Sequence, residues 1–319
     1  MGAEPGGKVL PNGRHMTTGD LGVYGFPPPA LADVDPLARQ FSPLVPGADD
    51  LTDLAEGSLE RVVIAAPPGT LERRFVLAQA LRALRPGGEL LVMAPKDKGG
   101  ARLRDELEAF GCAVVETAKR HHRLCLCRAP VHPRGLADAM EAGGPRRVAE
   151  IGLWSQPGVF SWDRVDPGSA LLQGRLADLA GRGADLGCGI GVLARAALGS
   201  KAVSDILLID IDRRAVAAAA RNIDDRRARL LHADARQASA GPEPLDFVIM
   251  NPPFHEGGVS EPALGQALIG AAAGMLKSGG VCRLVANLAL PYEATLAANF
   301  GKVSRLHEAH GYKLIEARR

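Results

Sequence analysis

Two apolar runs, each broken by a pair of prolines, organise the chain. In the second half Leu245-Asp-Phe-Val-Ile-Met-Asn-Pro-Pro253 reads as a buried strand running into a Pro-Pro corner. In the first half Glu60-Arg-Val-Val-Ile-Ala-Ala-Pro-Pro68 has the same form. Further on, Leu276-Lys-Ser-Gly-Gly280 precedes the apolar run Val281–Ala286, as Leu84-Arg-Pro-Gly-Gly88 precedes Glu89–Ala94. Each copy then has a helical stretch ending in Phe-Gly, at Phe300-Gly301 and Phe110-Gly111, followed by two β-rich runs within 303–317 and 113–129. A period this long indicates duplication of a whole domain and not a solenoid. Strands alternating with helical segments across Gly- and Pro-rich turns predict parallel α/β sheets in both halves.

The predicted division is a flexible or extended segment over 1–45, a first copy over 46–130, a linker over 131–157 rich in Pro, Gly and charge, and a second copy over 158–319. The copies differ where chemistry would sit. The second has a glycine-rich turn ahead of its Pro-Pro strand; the first shows none between Met1 and Glu60. Opposite Asn251 the first copy carries Ala66. The first half reads as a copy that has lost its active site.

Four elements of the second half carry chemistry. In Ala184-Asp-Leu-Gly-Cys-Gly-Ile-Gly-Val-Leu193 a short strand leads into Gly187, Gly189 and Gly191, then a helical run from Val192 to Leu198. Glycines let a backbone turn sharply beside a ligand, and the helix start offers unpaired N–H groups. The spacing departs from Gly-x-Gly-x-x-Gly, which argues against a dinucleotide. Asp185 suits a ligand with a cationic amine. Cys188 is a small filler, since the loop offers no base to make it a nucleophile.

The strand Asp205-Ile-Leu-Leu-Ile-Asp-Ile-Asp212 ends at Asp210, where an acid can accept from a ribose diol; Asp212 is read as the N-cap of the helix 213–222. Arg229-Leu-Leu-His-Ala-Asp-Ala235 is a further strand ending in an acid. Asp234 either accepts from an adenine amine or starts a turn. Last, Phe247-Val-Ile-Met-Asn-Pro-Pro-Phe-His255 places Asn251 at the carboxyl end of a central strand, where open α/β sheets bind ligands. Prolines lack N–H donors, so carbonyl oxygens are left for the site, and an amide oxygen beside one suits the two hydrogens of an NH₂ group. Phe254 can stack on a planar substrate. His255 is a candidate proton relay.

Composition narrows the classes. Aromatics make up only 4% while alanine and glycine abound, favouring helices packed closely on sheets over an aromatic-rich sandwich. A net charge of +2 does not declare a nucleic-acid binder, so contacts to a polyanion must be local: Lys96, Lys98 and Arg102, then Arg146 and Arg147, then Arg226, Arg227 and Arg229. Five cysteines without framework spacing read as reduced thiols of a cytoplasmic protein. No apolar stretch is long enough to span a membrane, and no charged start with an apolar core signals a secretory leader. His121-His-Arg-Leu-Cys-Leu-Cys127 lacks a second ligand pair at zinc spacing, so no metal is expected.

In this order and spacing the four elements resemble class I S-adenosylmethionine-dependent methyltransferases, and Asn251-Pro-Pro-Phe254 resembles their amino-methylating signature. Pro157-Gly-Val-Phe-Ser161, Asp166-Pro-Gly-Ser-Ala-Leu-Leu172, Asn251-Pro-Pro-Phe-His-Glu-Gly257 and Val285-Ala-Asn-Leu-Ala-Leu-Pro-Tyr292 resemble the small-subunit ribosomal RNA guanine-N2 methyltransferases of RsmC type. That likeness implies two tandem Rossmann-like domains with a degenerate amino-terminal one, S-adenosylmethionine as cofactor, and ribosomal RNA or the small ribosomal subunit as partner of a monomeric enzyme. It implies that Asp185, Gly187, Cys188, Gly189 and Gly191 hold the methionine part and Asp210 with Ile211 the ribose end. Asp234 and Ala235 would meet the adenine, and Asn251, Pro252, Pro253 and Phe254 the target amine, with Asn251 bordering the cofactor as well. Phe160, Phe254 and His255 fall on the substrate side. The rivals are methylation of another amino group (23S guanine, adenine N6, protein glutamine) and a non-catalytic RNA-binding or assembly protein.

Overall fold

Strands such as Phe247–Met250 are apolar at every position because both faces of a parallel strand are covered by helices. The computed structural model describes residues 20–239, 241–253, 255–256, 259–260 and 262–319. It divides into two units between Gly144 and Pro145.

The first unit contains β1 (Leu21–Tyr24), β2 (Arg39–Gln40), β3 (Leu59–Ala65), α1 (Thr70–Ala83), β4 (Leu84–Pro95), α2 (Leu103–Ala109), β5 (Val115–Lys119), β6 (His122–Arg128) and α3 (Leu136–Gly143). Its sheet has the order β2-β1-β3-β4-β6-β5. The first four are parallel, and β6 and β5 run antiparallel.

Two boundaries differ from the sequence reading. The segment before residue 46 is not a lead-in: Leu21–Tyr24 is buried and pairs with Arg61–Ile64, and Phe41 sits in the core. After β1 the chain turns at Gly25 with φ +73°, one glycine standing where the second unit has three. The stretch 131–157 is not a free linker either. Helix α3 puts Ala139 in the first core, and residues 146–155 form a hairpin of the second unit.

That unit contains β7 (Arg146–Val148), β8 (Leu153–Ser155), α4 (Pro167–Gln173), β9 (Gly181–Leu186), α5 (Val192–Leu198), β10 (Val203–Asp210), α6 (Arg213–Asn222), β11 (Ala228–His232), β12 (Leu245–Met250), β13 (His255–Glu256), β14 (Val259–Ser260), α7 (Pro262–Met275), β15 (Leu276–Asn287), α8 (Glu293–Asn299), β16 (Lys302–Ala309) and β17 (Tyr312–Arg318). The order is β11-β10-β9-β12-β15-β17-β16, parallel as far as β15 and antiparallel beyond. Both sheets are therefore mixed α/β sheets, and removing the edge strand β11 makes their orders correspond. The chain leaves β9 toward β10 on one side, while β12 lies on the other. A crevice opens at such a reversal, outside the carboxyl ends of the strands. Among the described residues no helix is long and apolar enough to cross a membrane.

Candidate active site

The carboxyl ends of β9, β10 and β12 deliver Asp185, Asp210 and Asn251 to this crevice. Beyond β9 the backbone takes positive φ at Gly187, Gly189 and Gly191 (+73°, +53° and +88°), conformations that cost other residues about 1–2 kcal/mol. A side-chain carbon on Gly191 would lie 2.8 Å from Ile223 Cδ1, whereas nothing stands within 4 Å of that position on Gly187 or Gly189. Gly191 is favoured chiefly by its φ, with Ile223 having to shift for any larger residue, and the other two keep one side of the turn open.

Two acids brace this turn. Asp210 Oδ2 accepts from the Gly189 N–H and Oδ1 from the Asp212 N–H, both at 2.8 Å; burial raises its carboxyl above the usual range. Asp212 caps α6 by accepting from the Arg214 N–H, as expected from the sequence. Asp185 is fully buried. Its Oδ2 accepts from the Ala194 N–H of α5 at 3.1 Å, and Oδ1 has no partner among the described residues. Burial lifts this carboxyl to about 8; the Ala194 bond opposes that shift and the nearby Asp210 charge adds to it.

The sign of that shift makes a prediction. A carboxyl raised in the folded state binds its proton more tightly there than in the unfolded chain, whose value is near 3.9. Its contribution is most favourable below about pH 4 and is lost as pH rises toward 8. Asp185→Asn is therefore expected to raise the melting temperature of the cofactor-free protein, with a gain that grows between pH 5 and pH 8. A pH-independent difference in scanning calorimetry would contradict the assignment.

A partly open cleft lies against the turn, lined by Phe160, Ser161, Arg164, Asp166, Ser169, residues 187–190, Val192, Leu193 and Asn251. Phe160 is 59% exposed, an aromatic face available to a planar ligand. Asn251 is held from one side. Its Nδ2 donates to Asp166 Oδ2 at 2.8 Å and to Ser169 Oγ at 2.9 Å. Because a carboxylate only accepts, the nitrogen faces Asp166, and Oδ1 is left as an acceptor with no donor among the described residues. Pro252 is buried and Pro253 exposed.

Not every expected residue reaches the cleft. Asp234 starts a turn, accepting from the Arg236 N–H and holding its guanidinium at 2.6 Å; that bond keeps its carboxyl below the usual range. Like the strand-end acids Asp185 and Asp210, which stand behind the turn, it is not in the cleft lining, nor is Ile211, an exposed apolar side chain. Ala235 packs in the core among Leu268, Ile269 and Ala272. Cys188 is buried, which pushes its thiol up and away from nucleophilic use. Phe254 and the His255 side chain lie outside the described residues. Of the basic groups, Arg227 is spent on Asp225 and on the carbonyls of Leu198, Ser200 and Val203. Arg229 pairs with Asp205, Arg146 stacks over Trp162, and Lys96, Arg102, Arg147 and Arg226 remain exposed.

A glycine turn braced by strand-end acids and facing an anchored Asn-Pro-Pro corner can be compared with known proteins. The methyltransferase small domain model matches residues 150–316. Ribosomal RNA small subunit methyltransferase C of Pseudomonas paraeruginosa is 32% identical over 99% of both chains. The chain belongs to this methyltransferase C family. A Shewanella member is 36% identical over 80% of this chain and 76% of its own. A solved structure of the T. thermophilus 16S rRNA N2 G1207 methyltransferase, in complex with AdoMet and guanosine, superposes with a TM-score of 0.68 at 30% identity, covering 85% of this chain and 76% of that one.

In this methyltransferase C family member the segment Asp166-Pro-Gly-Ser169 also serves the site. Asp followed by Pro at the first helical position is a helix-start signal, and Asp166 does cap α4 through the Ser169 N–H. Its second task, holding an amide 85 residues away in sequence, leaves no local mark.

Proposed function

We propose that the second unit binds S-adenosylmethionine over the glycine turn and methylates the exocyclic N2 of a guanine in small-subunit ribosomal RNA, acting in the cytoplasm. The observation that carries this reading is Asn251, its Nδ2 anchored and its Oδ1 free at the edge of the cleft. The residues fit the cofactor. Asp185 Oδ1 is a buried acceptor lacking a donor, as a cationic amine would supply. Gly187 and Gly189 leave room at the backbone, and Asp210 keeps further lone pairs on both oxygens for a diol.

S-adenosylmethionine supplies a methyl group already activated on sulfur. The chain's own work is proximity and alignment. Asn251 Oδ1 and the Pro252 carbonyl accept from the two hydrogens of the guanine amine and so orient its nitrogen, while Phe160 offers a face to the base. As positive charge grows on that nitrogen, both acceptors bind it more strongly than the neutral amine, which lowers the barrier selectively. The proton leaves after transfer without a dedicated base. Reaching this corner requires a base that is unpaired or flipped out.

The first unit is read as a degenerate duplicate. Its sheet order corresponds to that of the second, Ala66 replaces Asn251, and its Pro-Pro carbonyls are occupied: Arg73 Nη1 donates to Pro68 O at 2.7 Å and Pro67 O at 3.3 Å. Adenine or glutamine would suit the same corner chemically. Guanine is favoured by the guanosine complex of the T. thermophilus relative. Nucleoside mass mapping of ribosomal RNA from cells with and without the gene tests the assignment. One N2-methylguanosine in the small-subunit RNA should vanish on deletion and return with the wild-type gene; identical modification maps would refute it.

A further inference from the structure

An asparagine amide is nearly symmetric in shape, and its terminal torsion is soft and roughly two-fold. Turned by half a revolution, Asn251 would present a donor where the proposed reaction needs an acceptor. What prevents this lies on α4 and its cap. One Nδ2 hydrogen goes to Asp166 Oδ2 and the other to Ser169 Oγ, so the turned rotamer would set Oδ1 against a carboxylate and leave both acceptors unfilled. Asp166 is itself fixed: Oδ2 also accepts from the Ser169 N–H at 2.9 Å. Ser169 is buried.

We infer that Asp166 and Ser169 are positioning residues that lock the Asn251 amide with Oδ1 as its free acceptor, and that this lock is part of the machinery selecting an amine donor as substrate. The inference rests on the methyl-transfer reading given above. Both residues border the cleft, and the role inferred for them is exerted through Asn251. Because the lock sets geometry, its loss falls on kcat and spares cofactor affinity.

The test uses Asp166→Ala, Asp166→Asn and Ser169→Ala in the full chain. Asparagine retains an oxygen able to accept both bonds now made to Oδ2, so it keeps the lock without the charge. Ser169→Ala leaves the backbone cap of α4 intact, which covers the case of a poorly folding Asp166→Ala. Losing a charge-assisted hydrogen bond in the transition state corresponds to about 10- to 100-fold. We expect kcat to fall about 100-fold in Asp166→Ala and about 10-fold in Ser169→Ala, with Asp166→Asn regaining most of the loss. KM for RNA and calorimetric affinity for S-adenosylmethionine should stay within about threefold throughout. A second readout needs no turnover. The Asn251 side-chain amide signals, identified by their loss in Asn251→Ala, should be slow to exchange in wild type and Asp166→Asn, and fast in Asp166→Ala.

Wild-type kcat in both alanine variants, a parallel loss of cofactor affinity, or an Asp166→Asn enzyme as slow as Asp166→Ala would each overturn the inference. If wild-type protein transfers no methyl group to guanine, the underlying reading fails instead, and the amide exchange still decides whether the lock exists.

Discussion

Asn251→Ala is expected to lower turnover by about 100- to 1000-fold, the usual cost of removing one preorganised polar group from a transition-state site. Affinity for S-adenosylmethionine should change by no more than about threefold, because the bonds that brace the glycine turn share no partner with Asn251. The separation follows from the hydrogen-bond network. The glycine turn is braced by Asp210 through Gly189, and Asp185 is tied to Ala194. None of those bonds passes through Asn251, whose side chain bonds only Asp166 and Ser169 among the described residues. Removing the amide therefore deletes the acceptor for the target amine and leaves the cofactor's contacts standing. Single-turnover methyl transfer to ribosomal RNA, paired with calorimetric titration of the cofactor, measures both quantities on one preparation. Wild-type turnover would remove the amide from the mechanism. Loss of cofactor binding would make Asn251 a structural residue of the turn.

How far the sequence foretold this site depends on the range of the forces involved. The helices 192–198 and 213–222 appear with the predicted bounds, because apolar spacing, an Asp cap and glycine punctuation are local signals. The same holds for Asn251 at the end of β12. Strand β1 was not legible: four residues containing a glycine and leading into Phe26-Pro27-Pro28-Pro29 carry little strand preference of their own. The pairing of Leu21–Tyr24 with β3 and the Phe41 ring against Gly22 make it a strand, and both are tertiary effects that override propensity. Asp234 illustrates the converse. An aspartate two residues before Arg236 forms its own local pair, the turn-starting role that the sequence left open beside an adenine contact.

Arg73 was the residue most deeply hidden in the sequence, since a charge inside the helical run 70–83 reads as a solvated face. Arg73→Ala is expected to destabilise the first unit by about 3–5 kcal/mol, the cost of breaking a buried ion pair from one side. Its guanidinium is fully buried and meets the Glu106 carboxylate edge-on, Nε to Oε2 and Nη2 to Oε1, each at 2.7 Å. The remaining donors fill Thr70 Oγ1 and the two proline carbonyls. Alanine would strand the Glu106 charge in the core, orphan those carbonyls and open a void beside Gly99, whose backbone lies against the guanidinium. For a unit of this size the melting temperature should fall by on the order of 10 °C, with amides of β3 and α1 losing hydrogen-exchange protection first. The control is the paired replacement Arg73→Met with Glu106→Leu, which removes both charges at similar volume and should recover most of the loss. Recovery would identify the stranded carboxylate as the source of the damage. Equal losses in the single and paired variants would assign it to the uncapped Pro67 and Pro68 carbonyls, and a single variant within about 1 kcal/mol of wild type, the range of an ordinary substitution, would show that neither matters. The two corners thus differ in one respect: Arg73 holds the Pro67 and Pro68 carbonyls of the first unit, the kind of acceptor that the proposed reading reserves in the second for a substrate amine.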